Sequence, residues 1–217
     1  MTAKLTNRTR ALVALAAVLL VPAFFLPLWT INLEAPQYPE GLGMDIMVNT
    51  IRGQGEWDLQ NINGLNHYIG MKEIHPESIR ELRIMPWLLG GLAAFGFVVA
   101  AAGRRRLLQL WVLVFVLLAL AGLVDFYIWG YDYGHNLNPD AAIKVPGMAY
   151  QPPLIGSKQL LNFRAHSWPG AGGMLMVASL LLGMVGLWLD RRARPGDRTE
   201  AAAAGKVPVG ELGHARA

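Results

Sequence analysis

The sequence contains no cysteine, and only 16% of its 217 residues are charged. The missing thiols exclude disulfides, thiolate zinc sites, iron–sulfur clusters and haem attached through cysteine. With 53% hydrophobic residues and a mean hydropathy of +0.33, the chain is too apolar for an ordinary soluble domain. It also lacks a phosphate-binding glycine loop, a nucleophile-elbow motif and a zinc-protease motif. These absences favour a non-enzymatic role but leave the question of catalysis open.

The apolar residues are concentrated in four continuous blocks. A helix that crosses about 30 Å of hydrocarbon needs roughly 20 residues, and each block reaches that length without the alternation of a β-barrel strand. The sequence therefore predicts an all-α membrane protein with four transmembrane helices and two structured extracytoplasmic loops. The predicted segments are an N-terminus at 1–10, helices at 11–31, 84–103, 107–129 and 170–189, loops at 32–83 and 130–169, a turn at 104–106 and an unstructured tail at 190–217.

Basic residues mark one side of the membrane. Arginine and lysine beside short connections indicate the cytoplasmic side, and here they precede the first block, fill the short turn and follow the last block. They are Lys4, Arg8, Arg10, Arg104, Arg105, Arg106, Arg191, Arg192, Arg194 and Arg198. The pattern predicts a multi-pass protein with both termini in the cytoplasm and both long loops outside. A nucleic-acid partner is rejected, because it would need a basic face on a soluble domain.

The two long loops hold four of the five histidines. Histidine and methionine together suit a soft ion such as Cu(I). His67, Met71 and His75 follow one another at intervals of four, so a helical turn would align them. With His135 and His166 of the second loop, they are the candidate Cu(I) ligands. The alternative is that they are packing methionines and hydrogen-bonded histidines of a small outer cap.

The predicted helices carry one ionisable candidate for function. No histidine falls inside them, which disfavours a b-type haem held by inward-facing imidazoles. Asp125 is the one acidic residue in a predicted helix, and such residues are costly in a membrane. It is either functional or bonded to a neighbour such as Arg164. Asp125, Tyr127 and His135 are the candidate quinol site if the protein transfers electrons.

Three long, unusual strings lie in the loops and the adjoining helix ends. They are NGLNHYIGMK at residues 63–72, DFYIWGYDYGHNL at residues 125–137 and IKVPGMAYQPPLIG at residues 143–156. They resemble a four-helix membrane protein family of bacteria that accompanies nitrous-oxide reductase and its copper-delivery factors. The resemblance implies a bacterial cytoplasmic-membrane protein with an extracytoplasmic setting and a link to copper or to electron supply in denitrification. It transfers no residue roles.

Three functional hypotheses follow. The leading one is a non-enzymatic accessory membrane protein that docks or matures an extracytoplasmic enzyme, such as the copper enzyme nitrous-oxide reductase, through its outer loops. One alternative is a membrane subunit that passes electrons from quinol to an outer protein partner. The other is a purely structural anchor. All three expect contact with membrane lipid and with a partner outside the cytoplasm.

Overall fold

The computed structural model describes residues 4–192, and in this range the chain is an α+β protein. The helices are α1 Asn7–Leu19, α2 Asp58–Ile69, α3 Glu81–Ala102, α4 Arg105–His135 and α5 Ala171–Arg192. The strands are β1 Trp29–Ala35, β2 Tyr38–Ile46, β3 Ile51–Gly53, β4 Gly156–Leu160 and β5 Phe163–Pro169. The prediction of an all-α fold is wrong, because the two long loops form an antiparallel sheet. Residues 193–217 of the predicted tail lie outside the described residues.

Four helices in the described part of the chain are long and apolar enough to cross a membrane, so the protein is multi-pass by length and composition. These segments are Asn7–Phe24, Glu81–Ala102, Arg105–His135 and Ala171–Arg192. At 1.5 Å per residue, the 31 residues of α4 extend about 46 Å, well beyond the roughly 30 Å of hydrocarbon. Its last turns therefore project from the helix bundle and contact the sheet.

The bundle is centred on Trp111 of α4, which is fully buried. Its indole N–H donates a hydrogen bond of 2.9 Å to the carbonyl of Leu92 in α3. Gly96 of α3 and Gly183 of α5 lie against the ring, and a Cβ on Gly183 would come within 2.5 Å of it. The glycines thus provide the space that lets three helices close around one large aromatic side chain.

The sheet has the strand order β3-β2-β1-β5-β4, and every neighbouring pair is antiparallel. β1 comes from the first loop and β5 from the second, so the central pairing joins the two loops. One face is apolar: Ile31, Leu42 and Met44 pack with Ile62 of α2, and Phe126 of α4 packs against the same cluster. The strands, α2 and residues 70–80 are called the sheet domain below.

The first predicted helix is shorter than its apolar block, for a reason visible in the sequence. α1 ends at Leu19, and a 3-10 turn begins at Pro22. Proline has no N–H to continue a helix, and the residues from Trp29 onward alternate between the two faces of β1. A continuous apolar block therefore contains both a helix and the start of a strand. For this reason the start of β1 was assigned to the first helix, and the sheet was not predicted.

The junction between sheet and bundle is made by backbone in close contact. The N–H of Gly170 donates to the carbonyl of Leu28 at 3.1 Å, and the N–H of Gly172 donates to the carbonyl of Pro27 at 2.8 Å. A Cβ on Gly170 would overlap the Pro27 carbonyl oxygen, and one on Gly173 would overlap that of Leu28. Only glycine allows the start of α5 to lie this close to the segment that leads into β1.

We expect Gly173→Ala to lower the free energy of unfolding by about 1–3 kcal/mol, the usual cost of overpacking. The added methyl group meets backbone, which cannot rotate away as a flexible side chain would. Gly122→Ala is the matched control, because the space around Gly122 is open. Denaturant unfolding of both variants in one detergent measures the difference. Equal stabilities would show that the junction tolerates a side chain.

Candidate functional site

The second face of the sheet is polar, and most of its side chains are exposed. Cross-strand partners place its side chains on one surface, which we call the polar face. Its members are Thr30, Asn32, Glu34, Asp45, Arg52, Ser157, Gln159, Arg164, His166 and Trp168. An antiparallel sheet with one packed and one open face commonly shows this division. The polar face is therefore a surface that both loops build together.

A chain of three side chains crosses the polar face. Ser157 Oγ lies 2.6 Å from Nδ1 of His166, its direct partner across β4 and β5. On the other side of the ring, Nε2 of His166 lies 3.3 Å from Oε1 of Glu34 in β1. The Nε2 atom is buried and makes no hydrogen bond of good geometry with the described residues. The imidazole on β5 thus lies between a hydroxyl on β4 and a carboxylate on β1.

An open cleft of about 500 Å³ lies beside this chain, at the tips of the two hairpins. Glu34 contacts His166 and also lines the cleft. The other polar residues of the lining include Tyr38, Glu40, Gln159 and Arg164. The Nε of Arg164 is 3.4 Å from Oε1 of Gln159, and no carboxylate in the described range pairs with the guanidinium. The cleft therefore holds one guanidinium without a carboxylate partner among the described residues, beside the carboxylates of Glu34 and Glu40.

The predicted copper ligands of the first loop do not lie on one helical face. α2 ends at Ile69, and Gly70 takes the left-handed conformation with φ 81°, so Met71 and His75 follow in a non-helical segment. His67 is exposed on the last turn of α2. His75 instead lies between two carboxylates, with its ring nitrogens 3.3 Å from Glu73 and 3.6 Å from Glu77.

The other two predicted ligands are also placed separately. His135 ends α4, where its ring stacks on Tyr131 at 3.9 Å and its Nδ1 lies 3.0 Å from the Tyr131 carbonyl oxygen. His166 is on β5, in the chain with Ser157 and Glu34. Residues 4–192 contain no group of three or more histidine, aspartate or glutamate side chains arranged to hold a metal ion. Cu(I) binding stays a prediction.

The candidate quinol residues all lie on α4 but are spread along it. Successive residues of a helix are separated by about 100° and 1.5 Å, so Asp125 and Tyr127 point to nearly opposite sides. His135 is about 15 Å further along the axis than Asp125. The helix therefore presents these three side chains to different surroundings. Electron transfer from quinol also stays a prediction.

Glu34 and Ser157 were missed by the sequence reading, which considered histidines, methionines and intramembrane acids. The two residues are far apart in the chain, and each is unremarkable where it stands. Alternation of polar and apolar residues along 29–35 and 163–169 was the available signal. It identifies the exposed side of each strand, but only the pairing brings Glu34, Ser157 and His166 together.

The segment that carries Met71 and His75 is fastened to α2 and α4. The side chain of Asn63 accepts from the N–H of Ile74 at 2.8 Å and donates to its carbonyl oxygen at 3.1 Å. Lys72 Nζ lies 2.6 Å from Oδ2 of Asp132 near the end of α4. These contacts hold a non-helical stretch in a defined position, as expected for an ordered loop.

We expect Asn63→Ala to loosen residues 71–75, because it leaves both backbone groups of Ile74 without their partner. Unmade hydrogen bonds of partly buried groups cost about 1–3 kcal/mol. Trypsin should then cleave after Lys72 faster than in the unchanged protein, as measured by mass spectrometry of the fragments. Asn61→Ala is the control on the same helix. Equal cleavage rates in the two variants would contradict the role given to Asn63.

No protein-family model and no curated protein matches the chain. The resemblance to the membrane proteins that accompany nitrous-oxide reductase therefore stays a prediction, and the site is described from its own geometry.

Proposed function

We propose that the chain is an accessory membrane protein that docks an extracytoplasmic protein on the polar face of its sheet domain. The observation that carries the proposal is that two loops, separated by two membrane helices, form one continuous sheet with an open face. A purely structural anchor would not need an ordered surface assembled from both loops. Partner binding benefits from such a surface, because less conformational entropy is lost when it is rigid beforehand.

The underside of the sheet supports this rigidity. Trp29 of β1 packs edge-on against Phe126 of α4, with ring centroids 5.3 Å apart. The indole N–H of Trp29 donates to Oγ of Ser167 in β5 at 2.8 Å. One aromatic residue thus connects both central strands to a membrane helix, and the polar face is held in a fixed position relative to the bundle.

The hairpin tips are the part of the polar face furthest from the bundle. β1 leaves the bundle at Trp29 and ends at Ala35, about 20 Å away at 3.3 Å per residue. The cleft lined by Glu34 and Arg164 lies at that end. A folded partner can therefore reach the cleft without contacting the membrane. The resemblance names nitrous-oxide reductase or its copper-delivery factors as the candidate partner.

The orientation behind this proposal has its own test. Because the chain has no cysteine, a single introduced cysteine is the only thiol. Gln159→Cys should react with a membrane-impermeant maleimide in intact spheroplasts, since β4 would lie outside the cytoplasm. Asn7→Cys, at the start of α1, should react only after the membrane is permeabilised. The reverse pattern would overturn the proposed topology and remove the extracytoplasmic partner.

The docking surface is tested with the same single-cysteine approach. Gln159→Cys and Arg52→Cys, at opposite ends of the polar face, are coupled to a short photo-crosslinker in native membranes. We expect one partner species, identified by mass spectrometry, to be crosslinked from both positions and to co-purify in mild detergent. Gln60→Cys on exposed α2 is the control. Crosslinking of the same partner from Gln60 alone, or from none of the three, would exclude the polar face.

A further inference from the structure

The chain of Ser157, His166 and Glu34 has the composition of a nucleophile, a base and a group that orients the base. Activation of a serine requires a base within about 2.6–3.2 Å of its hydroxyl and a third group on the far side of that base. Ser157 Oγ is 2.6 Å from Nδ1 of His166, and Glu34 Oε1 is 3.3 Å from Nε2. The distances match the first requirement and approach the second.

One tautomer of the neutral imidazole suits both neighbours, although Nε2 makes no hydrogen bond of good geometry with Glu34 in this structure. If Nε2 carries the proton, it faces the carboxylate of Glu34, and Nδ1 is left to accept a hydrogen bond from the Ser157 hydroxyl. The other neutral tautomer would turn a lone pair of Nε2 toward a carboxylate, which is repulsive. In this tautomer Nδ1 of His166 can accept the serine proton.

The backbone of Ser157 supplies a donor for a developing oxyanion. Leu160 and Phe163 close a two-residue hairpin, and hydrogen-bonded and non-hydrogen-bonded pairs alternate away from such a turn. By this alternation Ser157 and His166 form a non-hydrogen-bonded pair. Because β4 is the edge strand, the N–H of Ser157 then points away from the sheet. An outward N–H at the nucleophile is the kind of group that stabilises a tetrahedral oxyanion.

The neighbouring cleft provides room and charge for a small substrate. Gln159 and Arg164 lie two residues from Ser157 and His166 on the same face, and both line the cleft of about 500 Å³. Glu34 stands opposite Arg164 in the register, yet no ion pair joins them within 4.0 Å. The serine and the histidine lie next to the cleft without lining it, and the guanidinium two residues along the sheet is available for a carboxylate on the substrate.

We propose that Ser157 is the nucleophile of an esterase site that acts on small carboxylate-bearing esters. Oγ attacks the ester carbonyl carbon while Nδ1 of His166 takes the hydroxyl proton. The bond to the alkoxy group breaks, and the departing oxygen receives that proton. Water then attacks the acyl-serine by the reverse proton route, which yields the acid and restores the serine. The carboxylate of Glu34 faces the imidazolium and stabilises it. This activity goes beyond docking and needs no partner.

The first experiment is labelling of the full-length protein in detergent with a fluorophosphonate, which reacts with activated serines. The unchanged protein should be labelled at Ser157, and Ser157→Ala should abolish labelling. His166→Ala should lower the labelling rate by about 100-fold or more, the usual contribution of a general base. Ser78→Ala is the control, because Ser78 is exposed and only bonds to the carbonyl of His75. Absence of labelling, or labelling that survives Ser157→Ala, would overturn the proposal.

A cross-strand link with a purely structural role would predict a different result. Glu34→Gln should lower the maximal inactivation rate while the binding constant for the probe is unchanged, since Glu34 acts through His166. If the three side chains only link the strands, Ser157→Ala, His166→Ala and Glu34→Gln should each lower the thermal stability. Labelling should then be absent or non-specific in the unchanged protein and in the variants alike. Thermal unfolding of each variant, followed by circular dichroism, accompanies the labelling and identifies any variant that fails to fold.

The substrate class is tested by comparing two p-nitrophenyl esters. Hydrolysis of mono-p-nitrophenyl succinate should be faster than that of p-nitrophenyl butyrate, and Arg164→Gln should remove this preference. Arg52→Gln is the matched control, because Arg52 lies on the same face but 3.9 Å from Asp45. Equal rates for the two esters in the unchanged protein would exclude the assignment of Arg164. Loss of crosslinking to a partner would not affect these outcomes.

Discussion

The pairing of β1 with β5 is the constraint on which the rest of the sheet domain depends. It joins segments that precede and follow the two long helices α3 and α4. The hydrogen bond between Trp29 and Ser167, for example, connects residues 138 positions apart. β5 continues almost directly into α5, and residues 20–28 join α1 to β1, so the register of the sheet and the packing of the helices must agree. The glycines at 170, 172 and 173 make that agreement possible, because they let α5 lie against the backbone of residues 26–28.

The sequence predicted four helices long and apolar enough to cross a membrane, which are present, and it missed the sheet for a physical reason. A membrane helix can be recognised from one long apolar block. A strand of five to nine residues forms only when it pairs with segments elsewhere in the sequence. Trp29 and Ile31 were assigned to the first helix because they extend its apolar block. Pro22 and Pro27 were available as signals of an earlier end. Gly70 was a similar signal, since a left-handed glycine ends α2 before Met71.

The candidate site shows the same limit at the level of side chains. His166 was identified from its chemistry, but its partners could not be, since Glu34 and Ser157 join it only through two strand pairings. His67, Met71 and His75, which are spaced for one helical face, are divided between α2 and the non-helical segment that follows it. The type of a residue therefore indicated which chemistry it can perform, but its contacts could not be predicted without the fold.

The absence of a flexible linker between β5 and α5 has a mechanical consequence. β5 ends at Pro169 and α5 begins at Ala171, while α4 runs uninterrupted from the bundle to the underside of the sheet. A change in the tilt of the helices is therefore expected to carry the sheet with it. A 10° change in tilt displaces the far end of a rod about 46 Å long by about 8 Å. Since helices tilt to match the bilayer around them, a change in membrane thickness would shift the cleft sideways over the membrane surface by about this amount.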